Sequence, residues 1–254
     1  MKINFKSYGE GKPVVILHGL MGSLDNWVSL SKILSKNYKI IILDLPNHGK
    51  SYHTSEFSYH KMAEDLHLFC EENTLRNISI IGHSMGGKVG IKYADLYSDN
   101  LDKLIVVDVV NKEYSSDRFS HIFSAIKMLN STKITSRSQA TLISKEFIPR
   151  EEERNFILKN LKRDGKYFNW RPNVKLLIRS IVELSSIIKL NRPIKNKVLI
   201  IKGGNSNYIT KDDIKDLPET FLLYKINEIP NSGHWVHAEN PNELINSIKS
   251  FITP

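Results

Sequence analysis

Five short runs of apolar residues recur along the chain, separated by longer mixed stretches. The runs are PVVILHG (13–19), YKIIILDL (38–45), ISIIGHS (78–84), LIVVDVV (104–110) and KVLIIKGG (197–204). They are nearly continuous rather than alternating and are rich in Val and Ile, which is typical of strands buried on both faces of a parallel sheet. The pattern therefore predicts a sheet core built from these strands.

Stretches of helical length lie between the predicted strands. They cover residues 24–35, 58–73, 84–97 and 210–217. A further strand, FLLYKINEI, precedes a last helix that begins near Pro241, and a proline suits the first turn of a helix. Strands and helices that alternate in this way predict a doubly wound, mostly parallel α/β sheet.

Residues 111–192 break this alternation. Their pattern is helical throughout, as in FSHIFSAIKML and VKLLIRSIVEL. About eighty residues are too many for a loop inside a compact domain. We therefore expect a core of residues 1–110 and 193–254, with residues 111–192 forming a helical cap over the strand ends, where sites form in such folds.

Composition narrows the class of protein. Apolar residues make up 41% of the 254 residues and charged residues 25%, as in soluble globular proteins. No apolar run reaches the roughly eighteen residues that a membrane-spanning helix needs, and the polar N-terminus does not resemble a signal peptide. The single cysteine, Cys70, excludes an internal disulfide and a multi-cysteine zinc site. We expect a cytoplasmic protein.

The net charge of +9 would suit an anionic partner. Lys and Arg are scattered rather than clustered, however, and the sequence shows no zinc-finger spacing, helix-turn-helix or RNA-binding sheet motif. We therefore expect no nucleic-acid partner. A remaining hypothesis is that the charge helps to attract phosphate-bearing substrates.

A serine stands at the most informative turn of the chain. IIGHSMGG (80–87) contains Gly82, Ser84 and Gly86 in the pattern G-x-S-x-G, after a predicted buried strand and before a predicted helix. The glycines are required because a Cβ on this sharp turn would collide with neighbouring backbone. Ser84 is the predicted nucleophile, and the N-terminus of the following helix favours negative charge developing beside it.

A second turn, LHGLMGS (17–23), follows another buried strand and suits half of an oxyanion hole. We expect the N–H groups of Leu20 and Met85 to converge on one substrate oxygen, because losing one such donor typically costs ~10²–10³ in rate. His18, in the same turn, is interpreted as a structural residue that holds the loop.

The predicted base is His234, in NSGHWVHAENP (231–241), between the last strand and the last helix. His237 lies nearer the helix and is interpreted as a surface or packing residue. His60 and His67 share one helix face, but no cluster of acidic ligands accompanies them, so no metal site is predicted.

The acid of the triad is harder to find. The order Ser, acid, His places it between residues 84 and 234, yet the turn after the strand at 198–201 reads Gly203-Gly204-Asn205-Ser206 and contains no carboxylate. Asp108 ends the neighbouring predicted strand. Burying an aspartate there costs several kcal/mol unless it is paired, and His234 Nδ1 is the natural partner. We therefore favour Asp108.

Other interpretations of these carboxylates stay open. Asp108 could instead be a turn residue that accepts backbone N–H groups. Asp212 and Asp213 follow the glycine turn, but they stand at a helix start, where Asp commonly serves as a cap or first-turn charge. If Asp108 is the acid, we expect the Ser206 hydroxyl to bond to Asp108 or His234 and to help orient the imidazole.

Together these motifs resemble the YbfF-like esterases of the α/β-hydrolase superfamily, relatives of the mammalian abhydrolase-domain protein 11 group. The similarity extends over nearly the entire chain and is carried by HGLMGSLDNW, LDLPNHGKS, IGHSMGGK, DKLIVVDV, GGNSNYI and GHWVHAENP. The resemblance implies the α/β-hydrolase fold. It also implies a cap hairpin and helix at LKRDGKYFNWRPNV (161–174).

The resemblance carries over to individual residues and to an activity. The matching positions are those of the triad and its auxiliary serine, Ser84, Asp108, His234 and Ser206, and those of the oxyanion donors, Leu20 and Met85. The implied activity is hydrolysis of short acyl esters or of thioesters such as acyl-CoA, and the implied partner is a small-molecule substrate. The mechanism requires no metal and no organic cofactor.

Four aromatic residues of the cap are candidates for the wall of an acyl pocket: Phe119, Phe123, Tyr167 and Trp170. Aromatic residues at helical spacing are otherwise ordinary core, and that alternative stays open.

Two further functions fit the same residues. One is a carbon–carbon hydrolase or lyase with the same triad and a basic site in the cap for a dicarboxylate. The other is a ligand-binding α/β hydrolase that turns over slowly or not at all. Labelling of Ser84 by a fluorophosphonate, together with turnover of simple esters, distinguishes the three.

Overall fold

A computed structural model describes residues 2–253. A seven-stranded sheet forms its centre, and two further strands form a separate hairpin. The strands are β1 (Phe5–Tyr8), β2 (Pro13–Leu17), β3 (Lys39–Leu43), β4 (Ile78–His83), β5 (Leu101–Val107), β6 (Leu161–Asp164), β7 (Tyr167–Trp170), β8 (Ile194–Gly203) and β9 (Phe221–Ile229).

Helices cover both faces of the sheet and, together with the hairpin β6–β7, form the segment between β5 and β8. They are α1 (Val28–Leu34), α2 (Tyr59–Glu72), α3 (Met85–Leu96), α4 (Ser120–Ser131), α5 (Arg137–Lys145), α6 (Glu151–Leu158), α7 (Val174–Arg179), α8 (Ile181–Ser185), α9 (Lys211–Lys215), α10 (Leu217–Thr220), α11 (Val236–Glu239) and α12 (Pro241–Ile252). No helix within residues 2–253 is both long and apolar enough to cross a membrane.

The strand order in the sheet is β1-β3-β2-β4-β5-β8-β9, and only β1 runs antiparallel to its neighbour. Alternate residues of the central strands serve two apolar layers. In β2, Val15 and Leu17 pack into the layer that contains α2 and α3, whereas Val14 and Ile16 pack with α1 and α12. This two-sided burial explains why the strands read as continuous apolar runs, and the predicted α/β fold is confirmed.

The segment between β5 and β8 corrects one prediction. The apolar pattern indicated helices throughout residues 111–192, but residues 161–170 form the hairpin β6–β7 that the family resemblance implied. Each strand has four residues, which is too short for an alternating pattern to stand out. The turn uses Gly165 in the left-handed region, at φ 56°, where a glycine meets no steric penalty.

One buried lysine ties this inserted segment to the sheet layer beneath it. Lys88, on α3, is 2% exposed, and its ammonium group donates to the carbonyl oxygens of Lys112 (3.2 Å), Ser185 (3.2 Å) and Ser186 (2.5 Å). Because these carbonyls lie near the start and the end of the insertion, one side chain holds both of its connections against α3.

This arrangement predicts a pH-dependent stability. Burial lowers the pKa of Lys88 from 10.5 to about 8, against a smaller opposing attraction from Glu113. Between these two values the folded protein binds fewer protons at this site than the unfolded chain, so stability rises with pH across that window. We expect Lys88 to contribute a gain of up to about 3 kcal/mol in the free energy of unfolding there.

Lys88→Met should lack this gain. Chemical denaturation of both proteins at several pH values between about 7 and 10 measures the difference, because every other titrating group is common to the two. If the free energies of unfolding of wild type and Lys88→Met showed the same dependence on pH, the prediction would be wrong.

Candidate active site

The nucleophile turn lies between the end of β4 at His83 and the start of α3 at Met85. Ser84 has φ 52° and ψ −118°, a conformation that costs a non-glycine residue of the order of 1–3 kcal/mol. It is held there because its N–H donates to the carbonyl of Val107 on β5 (3.0 Å) and its carbonyl accepts from the N–H of Lys88 (3.1 Å). The turn places the Ser84 side chain at the end of the sheet.

Both glycines of the motif are sterically required. A Cβ on Gly82 would overlap the backbone of Gly86 and Gly87, and a Cβ on Gly86 would overlap the carbonyl groups of Leu17 and His18. The same contacts bring the nucleophile turn against the loop that follows β2.

The loop after β2 carries the predicted oxyanion donor Leu20. Neither Leu20 N–H nor Met85 N–H donates to another group within residues 2–253, so both are free for a substrate oxygen. Next to Leu20, Met21 is fixed from two directions: its N–H donates to His48 Nε2 (3.3 Å), and its carbonyl accepts from the Asn160 side chain (2.6 Å).

Neutral histidines hold this loop. Burial lowers the pKa of His18 to about 4 and that of His48 to about 3, so both rings are neutral at physiological pH. Each uses an unprotonated Nε2 to accept a backbone N–H, that of Leu45 for His18 (3.0 Å) and that of Met21 for His48. A charged ring could not accept these bonds, so burial itself maintains the loop.

Asp108 leaves the sheet beside the end of β8, because β5 and β8 pair in parallel with Val107 opposite Ile201. Its side chain is 0% exposed. Oδ2 accepts from His234 Nδ1 (2.8 Å) and from the Ser206 hydroxyl (2.5 Å), and Oδ1 accepts from Gly203 N–H (3.0 Å). Three donors compensate for the loss of water around the carboxylate.

The two alternative acids, Asp212 and Asp213, pair with lysines and not with His234. Asp213 caps the first turn of α9 through Thr210 and pairs with Lys112 at 2.5 Å. Asp212 pairs with Lys215 at 2.7 Å. Neither bonds to His234 in the described part of the chain, and both stand in the first turn of α9, as the sequence suggested.

His234 is enclosed by rings as well as by Asp108. The Tyr208 ring stacks on its imidazole with ring centres 3.5 Å apart and planes 9° apart, and His83 donates to its main-chain carbonyl (2.8 Å). The guanidinium of Arg118, from the cap, lies over the Tyr208 ring, 4.2 Å from the ring centre. No side-chain hydrogen bond joins Ser84 and His234 within residues 2–253, and such bonds are often long before substrate binds.

A cavity of about 300 Å³ contains both Ser84 and His234 in its wall. Its polar rim includes Arg118, Arg150 and Glu153 from the cap. Glu153 pairs with His121 at 3.0 Å, whereas Arg118 donates to the side-chain oxygen of Asn207 (2.7 Å), a neutral partner.

The aromatic pocket predicted from the sequence needs correction. Phe119 lines the cavity, but the other three candidates do not. Phe123 is buried in the apolar layer next to Phe119, with ring centres 6.4 Å apart. Tyr167 and Trp170 belong to the hairpin: Tyr167 is exposed, and Trp170 packs against the cap core. Phe156 and Trp235 line the wall instead.

Three residues beside the triad positions were missed. His83 occupies a variable position of the G-x-S-x-G motif, and Arg118 is one cation among many, so neither had a signal of its own. Tyr208 stood within GGNSNYI, a segment quoted for the resemblance, but nothing in the pattern assigned it a contact with His234.

Fold and site together define the class of the protein. A mostly parallel sheet, a strained strand-to-helix turn at G-x-S-x-G and a carboxylate–histidine pair at the same sheet end are the features of an α/β hydrolase. In agreement, the family model described as alpha/beta hydrolase fold matches residues 12–241. The chain belongs to this family.

Individual relatives locate it within the family. It is 34% identical to Esterase YbfF of Escherichia coli (strain K12), over 99% of each chain. It is 30% identical to the sn-1-specific diacylglycerol lipase ABHD11 of Danio rerio, over 98% of this chain and 81% of that protein. Among solved structures, a marine microorganism esterase superposes with a TM-score of 0.94 at 34% identity over 99% of each chain. The protein is an esterase-type α/β hydrolase.

The end of β8 at Gly203 packs against the loop that carries His234, and this contact generates a prediction. A Cβ on Gly203 would overlap the backbone carbonyls of Ser232 and Gly233, whereas a Cβ on Gly204 would come no closer than 3.1 Å to its nearest neighbour. Gly203→Ala should therefore displace His234 and reduce kcat at least about tenfold, since small misplacements can cost ~10²-fold. Gly204→Ala is the matched control; equal kcat values for the two variants would contradict the prediction.

Proposed function

We propose that the protein hydrolyses carboxylic esters of short to medium acyl chains through a Ser84–His234–Asp108 triad and an acyl-enzyme intermediate. The observation that carries the proposal is the Asp108–His234 pair, which lies at the same end of the sheet as the strained Ser84 turn and brings His234 into the wall of the cavity that Ser84 also lines. A buried aspartate bonded to histidine Nδ1 leaves Nε2 as the base.

The proposed reaction begins when His234 Nε2 accepts the Ser84 proton and the hydroxyl oxygen attacks the substrate carbonyl. The N–H groups of Leu20 and Met85 stabilise the negative oxygen of the tetrahedral intermediate. His234 then donates its proton to the leaving alcohol or thiol. Asp108 holds the imidazole in the Nδ1–H tautomer and stabilises the imidazolium in both half-reactions.

Hydrolysis of the acyl-enzyme repeats these steps with water as the nucleophile. His234 removes a proton from water, the hydroxide attacks the acyl carbon, and the Ser84 oxygen leaves and recovers its proton from His234. None of these steps requires a metal or an organic cofactor.

Thioesters such as acyl-CoA are included in the proposed substrate class, since the same attack and the same oxyanion donors serve a thioester carbonyl. Arg118 and Arg150 in the cavity wall support an anionic leaving group of this kind. The ester part of the proposal is supported by the names of the relatives, an esterase and a diacylglycerol lipase.

The same two arginines favour a second candidate function. A carbon–carbon hydrolase or lyase acting on a dicarboxylate would need cationic groups in the cap near Ser84, and both arginines meet that description. Such an enzyme would turn over simple esters slowly. A ligand-binding protein with little turnover is the third alternative.

Hydrolysis of short-chain p-nitrophenyl esters and of acetyl-CoA is the decisive test, with wild type compared with Ser84→Ala and Asp108→Asn. We expect Ser84→Ala to be inactive and Asp108→Asn to lose turnover by ~10⁴, because an asparagine holds the histidine of such a triad in the wrong tautomer. Retained activity in Asp108→Asn would exclude it as the acid. A wild type inert toward every ester and thioester would favour the lyase or the ligand-binding alternative.

Ser206 is proposed as an auxiliary residue that orients Asp108. Ser206→Ala should lower kcat about two- to twelvefold, the rate equivalent of roughly 0.5–1.5 kcal/mol for one hydrogen bond, and should change the pH profile of kcat. Asn205→Ala is the control, because Asn205 is exposed in the same turn. A Ser206→Ala enzyme with wild-type turnover and an unchanged pH profile would refute this role.

A further inference from the structure

His83 connects the nucleophile turn to the loop of the base. It precedes Ser84 directly in the chain, and its Nε2 lies 2.8 Å from the main-chain oxygen of His234. Because a carbonyl oxygen can only accept, Nε2 must carry a proton and act as the donor. The imidazole beside the nucleophile therefore holds the backbone of the residue that activates it.

The buried environment of His83 keeps its imidazole in one protonation state and one tautomer. The ring is 2% exposed. Its pKa lies well below the ordinary value, chiefly through burial and then through repulsion from His234 and His237. The ring is therefore neutral, with the proton on Nε2 and none on Nδ1.

The His83 ring also has little room to move. A Cβ on Gly19, in the oxyanion loop, would lie 2.9 Å from His83 Nδ1, so the ring fits against that loop on its Nδ1 side. Its other neighbours are the His234 ring, with centres 4.7 Å apart, and the His237 ring, with centres 4.9 Å apart. One side chain thus touches the oxyanion loop and the base loop, and it is covalently joined to the nucleophile.

We propose that His83 is a positioning residue whose Nε2–H···O bond to His234 sets the distance between Ser84 and its base. This inference rests on the proposed function, since it assigns His234 that role. The reason for the proposal is geometric: Ser84 and His234 belong to separate elements, and the bond from His83 is the direct polar link between them within residues 2–253.

His237 provides a matched control within the same group of rings. It packs against His83 on one side and stacks on Trp27 on the other, with ring centres 4.7 Å apart. Its Nδ1 makes no hydrogen bond within residues 2–253. Replacing His237 thus removes a neighbouring ring without removing a bond to His234.

The test compares His83→Leu, His83→Gln and His237→Leu with wild type on p-nitrophenyl butyrate, and also measures the rate at which a fluorophosphonate labels Ser84. Thermal unfolding identifies variants that have not folded. We expect His83→Leu to lose about 10- to 100-fold in kcat with little change in KM, because a displaced base impairs the chemical step rather than binding. His83→Gln should recover most of the loss, because its amide can donate to the same carbonyl.

His237→Leu should remain within about threefold of wild type, the scatter expected for loss of packing alone. A folded His83→Leu enzyme with wild-type kcat would overturn the proposal. So would equal losses in His83→Leu and His83→Gln, or in His83→Leu and His237→Leu, since those results would point to ring packing and not to the bond.

A measurement on the wild type keeps the proposal testable if His83→Leu does not fold. Nitrogen-15 NMR of the imidazoles should show His83 as the neutral Nε2–H tautomer, and an Nδ1–H tautomer would overturn the proposal. If wild type hydrolyses no ester, the proposed function fails, but the NMR and labelling experiments still decide whether His83 positions His234.

Discussion

The buried carboxylate of Asp108 is the constraint on which the site depends. Water cannot reach it, so its oxygens need donors from the protein, and these come from Gly203, Ser206 and His234. Gly203 ends β8, Ser206 lies in the turn after it, and His234 lies in the loop after β9. Because an unpaired buried carboxylate would strongly destabilise the fold, its bonds to these donors keep the end of β8 and the loop after β9 together at the sheet end.

Buried neutral histidines hold the loops around Ser84 in a similar way. His18 and His48 accept backbone N–H groups in and around the oxyanion loop, and His83 donates to the carbonyl of His234. Burial lowers the pKa of all three rings, so each keeps one donor and one acceptor nitrogen. The loops of the site are therefore held by neutral imidazoles as well as by the buried carboxylate of Asp108.

The inserted segment is attached to this framework at a few polar points. Lys88 binds carbonyls at both of its connections, and Asn160 binds the carbonyl of Met21 in the oxyanion loop. Arg118 lies over the Tyr208 ring, which in turn stacks on His234. The segment consequently supplies part of the cavity wall and also contacts the loops that carry the proposed catalytic groups.

The sequence by itself determined that the fold is a mostly parallel α/β sheet, and it located the Ser84 turn and the loop of His234. It could do so because the burial pattern of the strands, the steric need for glycine and the residues of turns are local properties of the chain. It also singled out Asp108, since a carboxylate in a buried run needs a partner. The apolar pattern missed the hairpin β6–β7 because its strands have only four residues each, although the family resemblance implied it. The cavity wall without Phe123, Tyr167 and Trp170 and the contacts of His83 and Tyr208 with His234 appeared only in the folded structure. These features join residues far apart in the chain, and their geometry is decided by tertiary packing.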